Sequence, residues 1–148
     1  MIDTQSEILD EVISKLAAVP EFGARVFEGS VMRVIDSEDT ELPNSFIIIQ
    51  PGQTEEVERI GTGSLRERVT LNITLVTSKR DFAKPLRTGR LAVKALFAGR
   101  SISLAAAKGQ PASFLTETPM PPESGRCFAA HVMPLQVTYV QMYDKKSP

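Results

Sequence analysis

The chain has 148 residues, a formal net charge of −1, and 42% hydrophobic against 24% charged residues. That balance predicts one globular domain over residues 1–148, able to bury ~70% of its unfolded surface, with no global pull toward nucleic acid or an anionic membrane. One cysteine and one histidine exclude an internal disulfide and the usual structural zinc sets, though not an all-carboxylate metal site.

The N-terminus, MIDTQSEILDEV, lacks the basic-then-apolar layout of a signal peptide, and no apolar run approaches the ~20 residues of a bilayer span. A soluble, cytoplasmic chain is expected. Ile8 or Leu9, Val12, Ile13 and Leu16 recur at spacings of three and four, the stripe of an amphipathic helix. Thr4 and Glu7 suit a capping box at its start.

Short strand-like runs follow: ARVFEG, VMRVI, and SFIIIQ over Ser45–Gln50. Phe46 to Ile49 has no polar face, so both sides should be covered, and Pro51-Gly52 should end the strand. Glu55 to Ile60 reads as an outlying strand, joined by the flexible turn GTGS to the run LRERVTLNITLVT, Leu65–Thr77. There Val69, Leu71, Ile73 and Leu75 alternate with Arg66, Arg68, Thr70, Asn72 and Thr74, the pattern of a strand with one face in a core. Asn72-Ile73-Thr74 matches a glycosylation pattern but reads as strand.

A second helix is expected to start between Asp81 and Lys84, because Pro85 fits only a first turn. Leu86, Val93, Leu96 and Phe97 would face inward, and Lys84, Arg87, Arg90 and Lys94 outward. Gly89 should weaken its middle by ~1 kcal/mol relative to alanine, and Gly99 is the expected C-cap. SISLAA and SFLTET read as short strands, PMPPESG as a rigid turn, and Arg126–Met142 as a long last strand, with Pro134 arguing for an edge or a bulge. The order helix, strands, helix, strands predicts an α+β fold: a mainly antiparallel sheet, two helices packed on one face, and a protruding β-hairpin.

No grouping of residues specifies a reaction. Gly61-Thr62-Gly63 is half of a dinucleotide fingerprint without its third glycine or following helix. Cys127 and His131 stand four apart in a strand, ~13 Å, too far for a nucleophile pair. DSEDTE, with Asp36, Glu38, Asp39 and Glu41, does not match a calcium loop and reads as a solvated loop or a docking surface for a basic partner. No catalytic residue, cofactor or metal site is assigned.

Charge is uneven along the chain. Residues 1–58 hold 13 acids and 3 bases, net −10, and residues 59–148 hold 14 bases and 5 acids, net +9. Acidic and basic flanks would suit side-by-side contact between copies, a heterologous contact that builds a ring if the rotation closes. The alternative is that the halves interleave and neutralise each other within one molecule.

The order of EILDEVISKLAAV, ELPNSFIIIQPG, VERIGTGSLRERVTLNITLVT, PLRTGRLAVKALFAG and VMPLQVTYVQMY resembles the tail terminator, or minor tail protein U-like, family of long-tailed bacteriophages and prophages. The resemblance covers nearly the whole chain and rests on element order and length. It implies a non-enzymatic virion protein, assembled in the host cytoplasm. Its partners would be other copies in a hexameric ring, the tail tube protein, and a neck or head-joining protein. DNA would be only cargo passing through a central channel. A neck or head-completion protein, another tail ring protein, or a small-molecule-binding or hydrolytic α+β domain are the competing readings. The expected contact residues are Asp36, Glu38, Asp39, Glu41, Glu55, Glu56, Arg59, Arg66, Arg68, Arg87, Arg90 and Lys94.

Overall fold

The computed structural model describes residues 2–30, 42–97, 99–122 and 127–143. The expected strand VMRVI and the acidic loop Asp36–Glu41 lie outside the described residues. In chain order the elements are α1 (Thr4–Leu16), a 3-10 turn (Phe22–Ala24), β1 (Val26–Glu28), β2 (Ser45–Arg59), β3 (Ser64–Thr77) and α2 (Ala83–Leu96). A second 3-10 turn (Ala105–Ala107), β4 (Ala112–Phe114), β5 (Thr118–Met120) and β6 (Ala129–Met142) complete them.

The fold is α+β, as expected. Among the described residues six strands form one sheet in the order β1-β2-β3-β6-β4, with β5 also on β6. Every pairing is antiparallel except β1 with β2, which is parallel. Both helices lie on one face. Ile8, Leu9, Val12 and Leu16 of α1 and Leu86 and Val93 of α2 share a buried core with Ile47, Ile49, Val69, Leu71, Ile73, Leu75, Met133, Leu135, Val137 and Tyr139. Burying each large aliphatic side chain contributes ~1.5–3 kcal/mol before entropy is subtracted, which anchors helices of this length on the sheet.

The apolar run Phe46–Ile49 is buried on both sides, because a second small core covers the other face at this end. Phe46, Ile48, Val76 and Ala130 pack there with Phe27, Leu42 and Phe128. Phe27, Phe46 and Phe128 meet edge-to-face, with centroids 5.5 and 5.8 Å apart.

Several expectations need correction. The first helix is capped by Asp3, which accepts hydrogen bonds from the Ser6 N–H (3.2 Å) and the Ser6 hydroxyl (2.7 Å). No Thr4–Glu7 capping box forms; the Thr4 N–H instead bonds Gln141 Oε1 at 3.0 Å. Pro51-Gly52 does not end β2. The strand runs through it to Arg59, with a register shift between Pro51 and Thr54, so residues 55–59 prolong SFIIIQ. β1 reaches only Ile47–Ile49, so Pro51 sits where β2 has no second described neighbour and where a missing N–H is tolerated.

SISLAA is not a strand. Ile102 makes one bridge to Ala112, and Ala105–Ala107 form a 3-10 turn whose N–H groups at 105 and 106 bond Glu11 at 2.9 and 2.8 Å. SFLTET is broken into β4 and the start of β5. Phe97, rather than Gly99, caps α2.

β6 is not an edge. It pairs with β3 along its whole length. Pro134 falls between the residues covered by β4 and those covered by β5, and its carbonyl accepts the Leu115 N–H at 2.9 Å. N–H and C=O of one strand residue point the same way. The missing N–H of Pro134 therefore faces the break between the two short strands, and the β3 ladder loses nothing.

Candidate interaction surfaces

The first surface is the arm. Beyond Ile49 the outer half of β2 is exposed, while its inner edge pairs with β3 from Thr54↔Val69 to Arg59↔Leu65. The expected two-stranded hairpin is a three-stranded end, because β6 flanks it as far as Ser64↔Met142. The tip is closed by Gly61 and Gly63, at φ 69° and 87°, where a side chain would be strained. Arg59 donates to the Tyr143 hydroxyl at 3.1 Å and lies over its ring.

On the arm the expected contact residues find partners within the chain. Arg68 bonds Glu55 at 2.6 Å, Arg59 bonds Glu56 at 2.9 Å, and Arg66 pairs with Glu58 and reaches Gln110 at 3.3 Å. The acids come from the acidic half of the sequence and the bases from the basic half, so here the two halves interleave and neutralise. The face carrying Arg66 and Arg68 is half-buried, polar at the arm end and closed by the phenylalanine cluster at the other. Towards the helices, Tyr139 donates to Glu67 at 3.0 Å and accepts from Gln5 at 2.8 Å. Burial is the main cause holding its phenol above the ordinary value, with the Glu67 carboxylate adding to it.

The second surface is centred on α2. Arg87 is exposed, but Arg90 and Lys94 turn to Glu117, in the segment between β4 and β5. Arg90 grips that carboxylate with Nε at 2.5 Å and Nη2 at 2.8 Å; Lys94 stands at 2.9 Å and His131 Nε2 at 2.7 Å. The Arg90 bonds hold the Glu117 carboxyl well below the usual range, against the opposing effect of burial, with His131 and Lys94 assisting. A carboxylate so committed is a poor general acid or base near neutrality. It works as a clasp that ties the sheet edge to the helix above it.

Glu117 was not among the expected residues. One signal was legible: it is the only acid between residues 82 and 122, a stretch with six lysines and arginines. Cys127 is free and exposed, and His131 is spent on Glu117. Among the described residues no group of three or more histidine, cysteine or acidic side chains could hold a metal, and no helix is long and apolar enough to cross a membrane.

Two shallow grooves flank α2. One, of about 320 Å³, lies between the 3-10 turn at Phe22 and Asp81, Lys84, Pro85 and Thr88. The other, of about 380 Å³, lies between the start of α2 and β5, walled by Phe82, Leu86, Pro119, Met120 and Pro121 with Arg87 and His131 also lining it. Neither gathers the convergent polar groups of a catalytic pocket.

No family model matches this chain, and no curated protein does. Among solved structures it is similar to a chain from the virion of a native gene transfer agent particle, with a TM-score of 0.64 and 11% identity. The match takes in 95% of this chain and 100% of that one. At that identity the likeness is one of fold, and it extends over nearly the whole chain.

Proposed function

We propose that this chain is a structural virion protein, a subunit of a hexameric ring that caps the finished tail tube. The ring ends the addition of tube subunits and offers the surface to which the head joins. It works in the tail or neck, is assembled in the host bacterial cytoplasm, and uses no cofactor and no catalysis. DNA passes through its channel as cargo. One observation carries the reading: a fold shared over the full length of a virion chain, at an identity too low to preserve anything but architecture. The element order that resembles the tail terminator family narrows the place within the virion.

Electron microscopy of particles made without this chain tests the role. Tubes that overrun their normal length are the expected result. Tails of normal length that lack heads would move the chain to the neck or head-completion position. Normal, infectious particles would remove both roles.

A further inference from the structure

The arm and the α2–β5 groove complement each other but cannot meet within one molecule. The groove opens beside Ala130 and His131, at the start of β6. The arm tip lies beside Met142, where β6 ends. Twelve residues of extended strand separate these points, ~40 Å at 3.3 Å per residue. The arm carries two apolar side chains out into solvent, Val57 at 40% and Ile60 at 37% exposure, among Glu55, Glu56 and Glu58. The groove offers apolar walls, with Met120 itself 40% exposed, and the cationic Arg87.

Charge agrees with the pairing. Glu55, Glu56, Glu58 and Glu67 against Arg59, Arg66 and Arg68 leave the arm negative, while Lys84, Arg87, Arg90 and Lys94 against Asp81 and Glu117 leave the α2 flank positive. The arm's own ion pairs are solvent-exposed and contribute ~0–1 kcal/mol each, so its glutamates are free to exchange partners.

We propose that the arm end of one copy, with Val57 and Ile60, docks into the α2–β5 groove of a second copy, and that a glutamate of the arm meets Arg87 there. The contact is heterologous, since each copy gives its arm and receives another's in a different place. It deepens the ring reading and rests on it: it names the surfaces through which neighbouring copies touch.

Directed disulfide formation tests it. Chains with Cys127→Ser carry either Ile60→Cys or Met120→Cys, both exposed positions that leave the core intact, with circular dichroism melting as the check on folding. Mixed in equal amounts and oxidised, the two variants should give at least tenfold more mixed dimer than either gives alone. A chain carrying both cysteines should give a ladder of multimers. Dimers of Ile60→Cys with itself, or equal yields of all dimers, would overturn the contact. So would absent cross-links between the two variants while wild-type protein sediments as an assembly, a result that leaves the ring standing. Wild-type protein that sediments only as a monomer, with and without tail tubes, would take the ring reading down as well. Protection of Met120→Cys from alkylation on tubes, with no cross-link to Ile60→Cys there, would assign the groove to the tube protein and overturn the proposal.

Discussion

Glu117 and Gly89 show how much single residues decide on the α2 side of the sheet. Glu117→Gln leaves Arg90, Lys94 and His131 without their carboxylate. A charge-assisted cluster at a partly exposed site supports a loss of ~1–2 kcal/mol at neutral pH. Because the folded-state pKa is depressed, this stability is present above the unfolded value of ~4.3 and lost as pH falls towards the folded one. Melting curves of wild type and Glu117→Gln should therefore differ at pH 7 and converge as pH drops below ~4. A constant difference across that range would show that the clasp is steric rather than electrostatic.

Gly89 resolves an apparent flaw. Its missing side chain lets α2 approach the sheet: a Cβ there would lie 2.9 Å from the Phe22 ring and 3.2 Å from Leu75. Both neighbours are buried, Phe22 at 1% and Leu75 at 0% exposure, so neither can swing away. Gly89→Ala gains ~1 kcal/mol in helix propensity and loses ~1–3 kcal/mol to overpacking. The net expected change is a lower melting temperature, and a higher one would contradict this packing. The glycine was legible as a helix weakness, but not as a contact. Its cause is Phe22, 67 residues earlier, which no local pattern connects to it.

Among the elements, alternation and helical spacing were the readable signals, and pairing partners were not. The odd positions of β3 face the helices because Val69, Leu71, Ile73 and Leu75 say so unaided. Pro51-Gly52 and Pro134 misled for one reason: each proline's tolerance depends on which neighbour flanks the strand at that residue. Among the described residues β2 has no second neighbour at Pro51, and the strand beside Pro134 is interrupted. The long strands should also differ along their length. Ile47–Ile49 are fully buried while Thr54–Arg59 are exposed. Amide hydrogen exchange should be slow at Ile47 and Ile49 and faster by ~100-fold or more at the arm. Uniform protection from Ser45 to Arg59 in the isolated chain would mean that the arm is already covered. Tyr139→Phe, which removes the hydroxyl shared with Glu67 and Gln5, should cost ~1 kcal/mol in thermal unfolding, and no loss would mean those bonds add nothing.

At the scale of the whole molecule, the charge division along the sequence becomes two statements in space. On the arm, acids and bases from opposite halves pair within the chain. At α2, Glu117 answers Arg90 and Lys94 and leaves the flank positive. The sequence could not separate internal neutralisation from attraction between copies, because linear distance says nothing about which strands lie side by side. As proposed above, this protein acts by assembling with identical copies on a tail tube. Sedimentation velocity of the purified protein, alone and mixed with tail tubes, decides the matter. A discrete multi-subunit species, or protein that co-sediments with the tubes, is the expected result. Free monomer at every concentration, unaffected by tubes, would contradict it.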